Sequence, residues 1–167
     1  MTVPPAPRGR KTRLVRPGDV PDDLMLVIRA VPANRSAAVE EMADRAQLSA
    51  SVYVVEQSGK WCLLFGVSVF AHRLGRDATD VLRRFPRAPM FVEAPVGTVR
   101  AAGFEVVPTG TDADHFDVQL IAGVVEPDAP PSEAEVRAAA TRLLDTTGEW
   151  RPNPSYAGEA GERFEED

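Results

Sequence analysis

Three residues interrupt apolar, strand-like runs with groups able to do chemistry: Arg29 in VIRAV, Ser68 in LLFGVSVF and Glu105 in GFEVVP. A guanidinium matches phosphate oxygens in a bidentate fork. A hydroxyl both donates and accepts hydrogen bonds. A fixed carboxylate stabilises positive charge developing beside it. Side chains alternate along a strand, so Arg29 faces with Val27 and Val31, and Ser68 with Gly66 and Phe70, while Glu105 points away from Phe104 and Val106. Residues so placed either meet solvent on an outer face or line a cleft. Taken singly, each fits the outer face. Their order and near-equal spacing, 39 and then 37 residues, bring the cleft into consideration.

Other chemistry finds little support. The chain has no GxxxxGK[ST] loop and no GxGxxG after a strand. Gly66-x-Ser68 begins like a nucleophile elbow, but Phe70 stands where the second glycine belongs. Cys62 lies in an apolar run with no adjacent base and reads as an inert buried thiol. His72 and His115 are 43 residues apart without a companion at ligand spacing, so they read as ordinary histidines and no metal is expected.

The elements that must position these residues belong to one domain's worth of chain, 167 residues with 44% hydrophobic and 26% charged side chains. No apolar run is long enough to span a bilayer and MTVPPAPRGRKTR lacks an apolar signal core, so a cytoplasmic protein without a Sec signal or membrane contact is expected. The net charge of −6 is uneven: residues 126–167 hold 11 acids and 4 bases, and residues 1–125 hold 14 acids and 15 bases. No broad basic surface of a dedicated nucleic-acid binder is evident; the basic stretch RGRKTRLVR (8–16) reads as a solvated arm or an anion-contacting tail.

Residues 1–23, with five prolines, read as an irregular Pro/basic lead-in. Strands are expected at 24–31, 51–57, 60–71, 89–95, 103–108 and 115–123, the second and third flanking a Ser58-Gly59 hairpin turn. Helices are expected at 36–48, capped by Ser36, at 78–85, and from Ser132, where Ser132 and Glu135 spell a capping box. The divisions are thus 1–23, a domain at 24–125, a Pro-rich link and helix at 126–150, and an acidic, disordered tail at 151–167. Strands and helices do not alternate strictly, which favours a compact α+β domain over a doubly wound parallel sheet.

The ordered set Arg29, Ser68, Glu105, the last followed by Val106-Val107-Pro108-Thr109-Gly110-Thr111, resembles the R-S-E layout of mono-ADP-ribosyltransferases. VIRA (27–30), GVSVF (66–70) and PTGTD (108–112) are similar to segments of type VI secretion effector toxins with an ADP-ribosyltransferase-like fold. The likeness covers roughly residues 24–121. It implies two small packed, mainly antiparallel sheets holding NAD in the cleft between them, as substrate. In that reading Arg29 binds the pyrophosphate, Ser68 bonds near the nicotinamide ribose and positions the carboxylate, and Phe70 walls the nicotinamide or packs in the core. Glu105 holds a ribose hydroxyl and stabilises the oxocarbenium-like charge as nicotinamide leaves. Gly103 stands where many relatives carry the first acid of an E-x-E pair, so an arginine acceptor is not implied. The expectation is a bacterial toxin passing ADP-ribose to an unknown macromolecular acceptor or to water, with an antitoxin or immunity protein as a possible partner. The alternative is a non-enzymatic α+β interaction module, a toxin partner or regulatory adaptor.

Overall fold

The structure, a computed structural model, describes residues 4–30, 34–55, 58–72 and 76–158. Along the chain run β1 (Lys11–Thr12), β2 (Met25–Ala30), α1 (Arg35–Leu48), β3 (Ser51–Val55), β4 (Lys60–Leu64), β5 (Gly66–His72) and α2 (Thr79–Leu82). They are followed by β6 (Met90–Pro95), α3 (Val96–Ala101), β7 (Glu105–Pro108), β8 (His115–Gln119), α4 (Glu133–Thr146) and β9 (Arg151–Pro152). The six-stranded sheet has the order β7-β8-β5-β2-β6-β9, antiparallel at every pairing. A second sheet has the order β1-β3-β4, with β1 parallel to β3. This is the expected α+β class: two packed, mainly antiparallel sheets with short helices.

Alternation decides which face of the large sheet meets the helices. Leu26, Ile28, Val67, Val69, Val92 and Val118 are fully buried on one face, in the same core as Val39, Met42 and Ala43 of α1 and Val136, Ala140 and Leu143 of α4. Each such aliphatic side chain contributes about 1.5–3 kcal/mol by leaving water. The opposite face carries Val27, Arg29, Ser68 and Phe70. A smaller apolar cluster of Val27, Val81, Leu82 and Phe91, with Phe70 and Phe85 against it, covers one end of that face.

Local chemistry explains the boundaries. Ser132 and Glu135 form the expected capping box of α4. α1 starts earlier than its sequence suggests, because Asn34 rather than Ser36 is the cap, its side chain accepting from the Ala37 N–H at 2.9 Å. The apolar run 60–71, expected as one strand, is two strands in different sheets that meet at Phe65. There Gln119 accepts from the Phe65 N–H at 2.8 Å and donates to the Leu63 carbonyl at 3.2 Å, satisfying backbone groups that the corner takes out of the ladder. The expected strand 103–108 shortens to Glu105–Pro108, since Gly103 with φ +97° closes the turn after α3, a helix not foreseen in the sequence. Lys11–Thr12 pairs with β3 and Arg151–Pro152 with β6, so pairing extends into the lead-in and the tail that the sequence suggested were irregular. Residues 159–167 lie outside the described residues. No described helix is long and apolar enough to cross a membrane.

Candidate functional site

Register places Arg29, Ser68 and Glu105 on one face of the six-stranded sheet. Glu105 pairs with Gln119, and Gln119 with Gly66, which is two residues from Ser68 on the same strand face. Phe70, two residues further, pairs with Val27, and Val27 shares its face with Arg29. Arg29 and Ser68 sit on adjacent strands. Glu105 is on the edge strand β7, three strands from β2, a lateral separation of about 14 Å.

Ser68 opens into a cavity of about 490 Å³ with Lys11, Arg13, Arg45, Ser49 and Ser51 in its wall. Arg29 lines a second of about 360 Å³ with Arg45, Arg84, Phe85 and Arg87. Phe70 lines a third of about 370 Å³ that also includes Arg84. Arg45 is common to the walls of the first two and Arg84 to those of the last two, so the three concavities are neighbours on this face. Glu105 is exposed and is part of none of these three walls. It lies near the phenol of Tyr53, whose pKa is raised first by burial, then by the charges of Cys62 and Glu105.

The walls at Ser68 and Arg29 are rich in arginine and lysine, with Arg45 paired to Glu41 and Arg84 to Asp112, while the third also carries Asp80 and Asp114. The Arg29 guanidinium lies 3.7 Å from the centroid of the Phe85 ring, and its Nε is buried with no hydrogen-bond partner. Burial, then Arg45, lowers its pKa to about 10, against the opposing pull of Glu41. Arg45, at the end of α1, bonds Glu41 at 2.6 Å and the Arg29 carbonyl at 2.8 Å. Holding positive charges this close while partly out of water is costly, and Glu41 offsets part of that cost from within the protein.

Ser68 also has a partner that the sequence did not suggest. Its Oγ is 2.5 Å from Nε2 of His115 on β8. The Nδ1 of His115 lies 3.1 Å from the Thr109 carbonyl and 2.9 Å from Thr109 Oγ1, which in turn donates to Asp117 Oδ2 at 2.5 Å. A carbonyl only accepts, so Nδ1 carries a hydrogen, and in the neutral ring Nε2 accepts a hydrogen bond from the Ser68 hydroxyl. The ring is packed edge-on against Phe70, with centroids 5.0 Å apart. Phe70 also meets Phe85 at 5.1 Å, so it joins Arg29's aromatic support to the imidazole. Gly110, with φ +72°, folds the PTGTD turn beside this ring: a Cβ there would lie 3.7 Å from Nδ1.

Cys62 is buried, and burial followed by the charge of Glu126 raises its pKa, so the thiol stays protonated. His72 bonds Glu93 at 3.1 Å. Among the described residues no group of three or more His, Cys, Asp or Glu is arranged to hold a metal ion.

Family models, curated proteins and solved structures give no match to this chain.

Proposed function

We propose that this chain is an NAD-dependent ADP-ribosyltransferase-like domain, a bacterial toxin that cleaves the nicotinamide–ribose bond and passes ADP-ribose to a macromolecule or to water. The observation that carries the reading is the pair of neighbouring, arginine-lined cavities at Arg29 and Ser68, with Arg45 in the wall of both. The residues fit a dinucleotide: the buried, unpartnered Nε of Arg29 and the Arg45 guanidinium suit a pyrophosphate. Phe85 fixes Arg29 in place from below. Ser68, giving its proton to His115, presents lone pairs to a ribose hydroxyl. Glu105 lies on the same face toward the sheet edge, outside these cavity walls. Its role in this reading, stabilising the positive charge on the ribose as nicotinamide departs, requires the bound dinucleotide to extend from Ser68 to that edge. A producing cell exposed to such an activity needs an antitoxin or immunity protein.

A second reading, an interaction module without catalysis, draws on the exposed Leu14 and Leu48 (56% and 86% accessible) beside Lys11 and Arg13, a surface suited to an acidic protein partner. Nicotinamide release from NAD separates the two. The wild-type protein is expected to release it, and Glu105→Gln to do so at least about 100-fold more slowly, with an unchanged melting temperature because Glu105 is exposed. No release together with no NAD binding would favour the interaction module.

A further inference from the structure

The hydrogen-bond chain from Ser68 through His115 and Thr109 to Asp117 does more than an NAD-positioning serine requires. We propose that Ser68 is a nucleophile, with His115 as its general base, directed at carboxylic esters that carry a negative charge. The proposal stands apart from the NAD reading and does not depend on it.

The geometry supplies the parts in order. Ser68 Oγ is within hydrogen-bond reach of His115 Nε2, the acceptor nitrogen of the neutral ring when Nδ1 carries the hydrogen. The other nitrogen is held by Thr109, so the tautomer is fixed. Thr109 is fully buried and its hydroxyl donates a hydrogen bond to Asp117, which is 1% accessible. That buried carboxylate orients the Thr109 hydroxyl, whose oxygen then faces the His115 Nδ1 hydrogen and holds the ring in place. Arg16 bonds the His115 carbonyl at 2.6 Å and fixes the backbone that carries the ring. The serine opens to a cavity with Lys11, Arg13 and Arg45 in its wall, where an anionic substrate is attracted and a developing oxyanion is stabilised.

The chemistry balances without a further reagent. Ser68 Oγ forms a bond to the ester carbonyl carbon while its proton passes to His115 Nε2. The carbonyl π electrons move onto oxygen. As they return, the carbon–alkoxide bond breaks and the leaving alcohol takes the proton from His115. Water then attacks the acyl-Ser68 ester with His115 again as base, releasing the acid and restoring the hydroxyl. The sum is ester plus water to acid plus alcohol. Ser68 sits mid-strand rather than on a strand-to-helix turn, so it reaches its base by cross-strand pairing and not through an elbow.

Ser49 and Ser51 line the same cavity and provide an internal control. The full chain is treated with diisopropyl fluorophosphate and the adduct mapped by peptide mass spectrometry. A single adduct at Ser68 is expected, formed at least about 100-fold more slowly in His115→Ala and in His115→Asn, each checked for folding by circular dichroism. In parallel, 4-acetoxybenzoate is expected to acetylate Ser68 at least about tenfold faster than neutral phenyl acetate, through the cationic wall. No adduct at Ser68, adducts spread over Ser49, Ser51 and Ser68, or an undiminished rate in both folded His115 variants would overturn the nucleophile. Equal rates for the two esters would overturn the assigned substrate class.

Discussion

Asp117 is 1% accessible, and its Oδ2 accepts a hydrogen bond of 2.5 Å from Thr109. Thr109→Val removes that donor while keeping the shape, leaving a buried acceptor without it. The expected loss is about 1–3 kcal/mol in urea unfolding, with Thr109→Ser retaining most of the wild-type stability. Equal stability of the valine variant would mean that another donor replaces the threonine. At this scale the sequence exposed three polar residues that share one sheet face, two of them in cavity walls and Glu105 outside them, but not their partners. Arg29, Ser68 and Glu105 stood out because each is polar within an apolar run. His115 and Asp117 share a strand face two residues apart, a pattern visible in HFDV, yet the strand pairing that brings His115 to Ser68 is a 47-residue contact. Arg45 was hidden for a different reason: on an amphipathic helix an arginine reads as a solvated charge, and only the fold carries its head to the end of β2.

The corner between β4 and β5 is the element on which the site depends most, because it sends Ser68 into the large sheet and leaves β4 in the small one. Gly66 permits the turn: a Cβ there would come 2.9 Å from the Val118 carbonyl oxygen and 3.2 Å from Asp117 Cβ. Gly66→Ala is therefore expected to push β5 from β8, costing about 1–3 kcal/mol and lengthening the Ser68–His115 contact, read by thermal melting and the histidine NMR resonances. A variant that melts like wild type with unmoved resonances would show that the backbone yields without strain. Helix α4 was legible from its capping box and apolar stripe alone, since both signals are local. The split of 60–71 was not, because each half is a good strand and the break is imposed by Gln119, 54 residues beyond Phe65. The helix Val96–Ala101 escaped notice because six residues are too few for periodicity to show.

For the whole molecule, the α+β class followed from the count and order of strands, and it holds. The large sheet divides the labour between its faces: one packs against α1, α3 and α4, and the other is a grooved face whose neighbouring cavities hold Arg29, Arg84, Phe85 and Ser68. The cavity at Ser68 is walled also by Lys11 and Arg13. Sequence alone could not assemble this groove, since the basic stretch 8–16 reads as an arm until β1 docks it on β3. The net charge of −6 conceals it as well, the acids being concentrated toward the C-terminus. The central claim is that this cationic face binds the pyrophosphate of NAD, and calorimetric titration of NAD tests it directly. Wild-type protein is expected to bind one NAD, and Arg29→Met to bind at least about tenfold more weakly while remaining as stable as wild type, because the lost charge is partly buried and its Nε unpaired. No heat of NAD binding to the wild type, or an affinity untouched by Arg29→Met, would contradict the account.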